Sequence, residues 1–147
     1  MKVIDLMIGD WIHNNYTNDN YQVWRTFFSQ ATNYGKRLDA TLEDVNIAPI
    51  PITPEILEKN GFEKEKETEH SCSYCTLIPT GYEKNSYTCK FTFYKEPIMG
   101  VSTLFNCWGW VPPQNGGVND IHICNLKYLH QLQHALKLCE IEKEIKL

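Results

Sequence analysis

The sequence predicts an α+β fold in which an antiparallel sheet packs against a C-terminal amphipathic helix and a short central helix, beside a small N-terminal β-unit. Residues 125–147 show a helical repeat of apolar side chains. Residues 87–94 alternate between apolar and polar side chains, as expected of a strand with one buried face. The length of 147 residues suits one domain. We therefore expect a single domain, with a β-rich part over residues 1–48 and helix, strands, helix and strand over residues 49–147.

The C-terminal stretch has the clearest pattern in the chain. At 100° per residue one arc of the helix collects the apolar positions Tyr128, Leu129, Leu132, Ala135, Leu136 and Cys139. Asp120 or Asn125 is expected to cap the start of this helix, because either side chain can accept a free backbone N–H. After Cys139 the period changes to two, which predicts a terminal edge strand over residues 141–147.

A second helix is predicted over Pro54–Asn60. Thr53 is a suitable N-cap, Pro54 fits the first helical position, and Gly61 can end the helix with a positive φ. Strands are predicted around this helix and to either side of it. They are Tyr21–Ser29, Leu38–Ile47, Cys72–Ile78, Tyr87–Tyr94 and Val101–Trp110. Gly9–Ile12 is predicted as a turn that enters a strand, Asn14–Asn20 as a polar turn, Glu63–Glu69 as an exposed strand or hairpin, and Val111–Asn119 as a Pro/Gly loop.

Composition restricts the environment and the partners. The net charge of −4 argues against general nucleic-acid binding, which needs a surplus of Lys and Arg. No apolar run is long enough to span a bilayer, and Asp5 interrupts the N-terminal apolar stretch, so no membrane association and no signal peptide are expected. We expect a cytoplasmic protein with reduced thiols. The candidate partners are a small nucleotide ligand and a second copy of the chain.

Three segments together resemble a known family. They are Leu6–Trp11 (LMIGDW), Pro49–Phe62 (PIPITPEILEKNGF) and Tyr128–Gln133 (YLHQLQ). In this order they are similar to segments of small uncharacterised proteins from gut Bacteroidetes and from their phages and mobile elements. The resemblance covers about a third of the chain and implies no catalytic residues. It implies a phage or mobile-element context, in which accessory roles such as counter-defence are expected, in the host cytoplasm if the protein is phage-encoded.

Two patterns invite a comparison with metal sites. His130 and His134 lie at i and i+4, but Gln131 stands where a zinc protease has its Glu, and an amide cannot act as a general base. Cys72 and Cys75 form one Cys-x-x-Cys pair with no second pair to complete a zinc site. On a strand these two cysteines would lie on opposite faces. We therefore expect neither a metal nor a cofactor.

No catalytic motif is recognisable, so a non-enzymatic binding protein is favoured. Stacking rings and cations that could bind a small nucleotide are numerous. The candidate ligand-binding residues are Trp11, Trp24, Arg25, Arg37, Lys90, Trp108, Trp110, His130 and His134. The alternative for the tryptophans is a place in the core. The alternative functions are a protein–protein interaction module that inhibits or scaffolds a host partner, and a small hydrolase that uses His122, His130 or His134.

Overall fold

The computed structural model describes residues 5–24, 27, 41–79, 86–110, 118–139 and 141–147. The fold is α+β and contains two antiparallel sheets, one of three strands and one of five. The chain forms two compact units. The first unit comprises Met1–Pro51 and Tyr128–Gln133, and the second comprises Ile52–Lys127 and His134–Leu147. Whether the two units belong to one domain, as expected from the chain length, stays a prediction.

The first unit is built on the three-stranded sheet. Strands β1 (Trp11–Asn14), β2 (Asp19–Gln22) and β3 (Ile47–Pro49) are arranged in the order β2-β1-β3. The two strands predicted to flank the Asn14–Asn20 turn are confirmed, although β2 is shorter than Tyr21–Ser29. The strand predicted over Leu38–Ile47 is wrong where the structure describes it, because Glu43–Val45 forms a 3₁₀ helix and the strand begins only at Ile47. The buried core of this unit comprises Leu6, Ile12, Val23, Phe27, Leu42 and Ile47.

Parts of the three segments that carry the family resemblance meet within the first unit, which contains residues 49–51 of Pro49–Phe62. The Gln133 amide nitrogen donates to Gly9 O at 2.9 Å, and the backbone N–H of Trp11 donates to Gln133 Oε1 at 3.0 Å. The backbone N–H of Leu129 donates to Ile50 O at 2.8 Å. The segment Tyr128–Gln133 thus binds backbone groups of the other two segments. The Gln133 side-chain amide binds Gly9 and Trp11, and the Leu129 backbone N–H binds Ile50. These residues of the three segments therefore stabilise the fold of the first unit.

The second unit contains helix α1 and the five-stranded sheet. Helix α1 (Pro54–Lys59) confirms the prediction, with the Thr53 hydroxyl accepting from Ile56 N and Gly61 at φ +79° after its end. The strands follow in the order β4-β5-β6-β7-β8. Their bounds are β4 (Glu63–Glu67), β5 (Ser71–Pro79), β6 (Ser86–Ile98), β7 (Val101–Trp110) and β8 (Val118–Cys124). Strand β8 was not predicted, because the sequence pattern indicated a loop over Val111–Asn119 and a helix cap at Asp120 or Asn125.

The five-stranded sheet has one closed face and one open face. In antiparallel strands, residues that stand opposite each other point to the same face. The row Tyr74, Phe91, Phe105 lies on the closed face, and all three side chains are buried. The alternation predicted for Tyr87–Tyr94 is confirmed, since Cys89 and Phe91 belong to the closed face. The open face carries the intervening residues, which are mostly polar. Ser73 and Thr92 are buried there, and the other described side chains of this face are half-buried or exposed.

Helix α2 (Leu129–Leu138) confirms the predicted C-terminal helix, and its apolar residues Leu129, Leu132, Ala135 and Leu136 are buried. Neither predicted cap is used. Asp120 lies in strand β8, and Asn125 Oδ1 accepts from Ser102 N at 2.9 Å. The Gln131 side chain instead accepts from Tyr128 N at 3.1 Å. Within the described ranges, no helix is both long enough and apolar enough to cross a membrane.

The C-terminal segment, residues 141–147, is not a strand, so the predicted edge strand is wrong. Ile141 and Ile145 are buried, which explains the alternating pattern without sheet pairing. The backbone of this segment binds a side chain. Asn60 Nδ2 donates to Lys146 O, and Lys146 N donates to Asn60 Oδ1, both at 2.8 Å. The Asn60 amide therefore satisfies the two backbone groups of Lys146 that a neighbouring strand would otherwise bind.

Candidate functional site

A row of polar side chains crosses the open face of the five-stranded sheet. Neighbouring strands place one residue each in this row. From β4 to β8 the row is Glu63, Cys75, Lys90, Asn106 and His122. Because these residues stand opposite one another, their side chains project from the same face at a spacing of about 5 Å. The row gives this face an ordered arrangement of an acid, a thiol, a cation, an amide and an imidazole.

Lys90 is the cation of the row, and its partner comes from outside the row. Its Nζ lies 2.6 Å from Glu65 Oε2, and its side chain is 28% exposed. Glu65 stands at an irregularity in β4, because Lys64 pairs with Tyr74 and Lys66 pairs with Ser73, so that Glu65 is the extra residue of a bulge. Strands β4 and β6 are separated by β5. The ion pair therefore joins β4 to β6 and passes over Cys75 on the intervening strand β5.

Trp108 lies beside Lys90 on the same face. It stands opposite Thr88, two residues along β6 from Lys90. Diagonal neighbours of this kind lie about 7–8 Å apart, within reach of an aromatic side chain and a long one. The Trp108 ring is half-buried and belongs to the face opposite the buried Phe105 and Cys107. Of the two alternatives for Trp108, the structure therefore supports a place outside the buried core of this sheet.

The far end of the row is a hydrogen-bonded pair. The His122 ring Nδ1–H donates to Asn106 Oδ1 at 2.8 Å. This bond fixes the orientation of an exposed imidazole on the edge strand β8. Asn106 stands between Lys90 and His122 in the row, so a ligand held by Lys90 would also lie close to the Asn106 amide.

A surface hollow opens at the β4–β5 end of this face. It has a volume of about 410 Å³. It is lined by Gly61, Glu63, Lys64, Glu65, Cys75, Thr76 and Leu77. Burial and the nearby Glu65 carboxylate raise the pKa of the Cys75 thiol, while Lys90 acts in the opposite direction. The thiol is therefore protonated at neutral pH, and the arrangement is suited to binding and not to attack by a cysteine nucleophile.

The structure divides the predicted ligand-binding residues between the two units. Lys90, Trp108 and His134 belong to the second unit, whereas Trp11, Trp24 and His130 belong to the first. Lys90 and Trp108 are brought together on the open face. The Trp24 side chain is 45% exposed, and its ring packs against that of Tyr21 with the ring centroids 5.1 Å apart. Arg25, Arg37 and the side chain of Trp110 lie outside the described part of the structure, although the Trp110 backbone ends β7.

His130 lies outside the apolar arc predicted for this helix, yet it is buried. It is 3% exposed, and its ring stacks on Tyr128 with centroids 6.0 Å apart and planes at 13°. A buried imidazole stacked on its own chain is poorly placed to receive a ligand or to act as a surface acid or base. His134, one turn later, is half-buried. The structure therefore gives no support to a hydrolase that uses the two histidines of helix α2 as a pair.

Three of the six cysteines, Cys89, Cys107 and Cys139, are buried as packing residues. Cys72 stands opposite Phe93 and Cys75 opposite Lys90, so the prediction that they lie on opposite faces is confirmed. On the closed face, Cys89 Sγ and Cys107 Sγ lie 3.3 Å apart, and the free thiols of Cys107 and Cys139 form a hydrogen bond. Burial, with help from Cys107, raises the pKa of Cys139 to about 12. Among the residues that the structure describes, no three His, Cys, Asp or Glu side chains are arranged to hold a metal ion.

Comparison of the chain with models of known protein families, with curated proteins and with solved structures found no match. Function must therefore be argued from the open face itself. Sequence reasoning named Lys90 and Trp108 as ligand-binding residues of this face and His122 only for a hydrolase. It missed Cys75 and Asn106 of the row, and Glu65, which pairs with Lys90. The signal for Asn106 was its place two residues before Trp108 on one strand. Glu65 gave no such signal, since a bulge cannot be read from a run of five charged residues.

Proposed function

We propose that the protein binds a small purine nucleotide on the open face of the five-stranded sheet and releases it unchanged. The observation that carries the proposal is the placement of Trp108 and Lys90 as diagonal neighbours on this face. Aromatic rings on a sheet surface can stack on a base, and an ammonium beside them can bind its phosphate. The negative net charge favours a small ligand over a nucleic-acid chain.

The remaining polar residues of the row suit the same ligand. The Asn106 amide, which accepts from His122, lies on β7 opposite Lys90 and two residues before Trp108. The raised pKa of Cys75 leaves the row without a thiolate nucleophile. The resemblance to the Bacteroidetes and phage family adds a context, in which capture of a nucleotide signal would counter a host defence. We include this role in the proposal.

Calorimetric titration with linear and cyclic adenine and guanine nucleotides tests the proposal. Trp108→Ala should weaken binding about tenfold to a hundredfold, as for the loss of one stacking ring. Trp24→Ala is the matched control, because it removes an exposed tryptophan from the first unit. It should leave the affinity unchanged. Trp108→Phe should retain most of the affinity, since a phenyl ring still stacks.

The same samples separate binding from its rivals. Chromatography after incubation should return the nucleotide intact, whereas cleavage that is lost in His122→Ala would favour the hydrolase alternative. No heat with any nucleotide in the panel would refute the proposal and leave the protein-interaction module as the better account. Thermal melts of each variant show whether a loss of affinity reflects the site or the fold.

A further inference from the structure

We propose that Glu65 is an internal competitor for the anionic part of the ligand, so that the ligand's phosphate must displace the Glu65 carboxylate from Lys90. This inference rests on the proposed function and names a specificity-determining residue for the same site. Its basis is the ion pair itself, with Lys90 Nζ 2.6 Å from Glu65 Oε2. The position that a phosphate oxygen would take beside this ammonium is one that a carboxylate oxygen already holds.

The backbone of β4 places Glu65 for this contact. In a regular ladder each residue of β4 would stand opposite one residue of β5, but the register shift between Lys64 and Lys66 leaves Glu65 unmatched. Bulges of this kind re-aim a side chain. The Glu65 carboxylate reaches past β5 to a lysine on β6, a distance of about two strand spacings, or roughly 10 Å between backbones.

Lys90 differs from the neighbouring lysines in its surroundings. Its side chain is 28% exposed, whereas those of Lys64 and Lys95 are 48% and 50% exposed. Lys64 and Lys95 both pair with Glu67, the last residue of β4. The Lys90 side chain is therefore less exposed than those of Lys64 and Lys95, and its carboxylate partner is Glu65 instead of Glu67. Lys90 is also the diagonal neighbour of Trp108 on the open face.

The strength of the pair makes exchange feasible. Partly exposed ion pairs contribute little, because water and salt screen both charges. A phosphate carries more charge than a carboxylate and can accept from Lys90 through several oxygens. An anionic ligand can therefore replace Glu65, whereas a neutral nucleoside cannot gain from the exchange. Glu65 thus makes the site discriminate in favour of strongly anionic ligands over weakly anionic ones.

Calorimetric titration of Glu65→Gln with adenosine monophosphate and with adenosine tests this directly. The variant should bind the monophosphate about two- to fivefold more tightly than the wild type, which corresponds to the loss of one surface ion pair that competes with the ligand. Its affinity for adenosine should not change. Glu67→Gln is the matched control, because it removes the same charge from the same strand, while its ion pairs are to Lys64 and Lys95 and not to Lys90. It should change either affinity less than twofold.

The double variant Glu65→Gln/Lys90→Gln should show no gain over Lys90→Gln alone, since the competition requires the ammonium. A wild-type protein that binds the monophosphate, with Glu65→Gln no tighter, would overturn the inference and leave the proposed function standing. If neither protein binds a nucleotide, titration with inorganic pyrophosphate tests the anion site alone. Tighter pyrophosphate binding by Glu65→Gln would then support the role of Glu65 while the nucleotide proposal fails. Absence of pyrophosphate binding in both proteins would overturn both.

Discussion

Asn60→Ala should release the C-terminal segment from the second unit. The Asn60 side chain makes three hydrogen bonds to backbone atoms, one to Ile56 O and two to Lys146, each at 2.8 Å. Asn60 is 7% exposed, so water replaces these bonds poorly on the Asn60 side. Each net hydrogen bond contributes about 0.5–1.5 kcal/mol. Because Lys146 is itself exposed and can bind water, we expect a total loss of about 1–3 kcal/mol in the free energy of unfolding.

Two measurements check this expectation. Denaturant melts give the free energy of unfolding, and amide hydrogen exchange reports on Lys146, whose N–H should lose its protection in the variant. Glu58→Ala is the matched control, because it truncates an exposed side chain of α1, next to Lys59, and should change stability by less than about 0.5 kcal/mol. Equal stabilities for Asn60→Ala and Glu58→Ala, with unchanged exchange at Lys146, would refute the assigned role of the Asn60 amide.

Three further predictions concern the helix, the thiols and metal content. Leu136→Ala should cost about 2–5 kcal/mol in a denaturant melt because Leu136 is buried, whereas the exposed Lys137→Ala should cost under about 1 kcal/mol; equal costs would mean that the helical phase is wrong. Alkylation of Cys75 by iodoacetamide, followed by peptide mass spectrometry, should still accelerate above pH 9, because its pKa is raised and the thiolate forms only at high pH. Glu65→Gln should speed this alkylation at neutral pH, since it removes a cause of the raised pKa, and no change would contradict the assigned cause. Elemental analysis should find less than one zinc per chain, and a stoichiometric zinc that Cys72→Ser removes would contradict this.

The elements that could be predicted from the sequence are those whose signals are local. Thr53, Pro54 and Gly61 mark the start and the end of α1 by chemistry that acts within one turn. The alternation around Phe91 is equally local, because every second side chain of a strand faces the same side. The apolar arc of α2 follows from a period of 3.6 residues. These features require no knowledge of what lies across from them.

The features that could not be predicted depend on partners distant in the chain. Residues 141–147 alternate like a strand, yet their backbone binds the side chain of Asn60, more than eighty positions earlier. Strand β8 is an edge strand whose pairing with β7 compensates for a sequence rich in polar residues. The helical period places His130 on the polar face of α2. In the structure its ring is buried and stacks on Tyr128. In each case a tertiary contact determined the outcome.

The candidate site likewise has a part that the sequence could predict and a part that it could not. The sequence could supply Trp108 and Lys90 as residue types suited to a nucleotide, but their proximity depends on the register between β6 and β7. The segments that resemble the Bacteroidetes and phage family contribute to this face only the hollow-lining Gly61. Their contacts in the first unit are Gln133 with Gly9 and Trp11, and Leu129 with Ile50. Contacts of this kind stabilise the first unit and leave the open face of the five-stranded sheet to other residues. Binding specificity must therefore be sought in residues such as Glu65, Lys90 and Trp108, which lie outside the three segments.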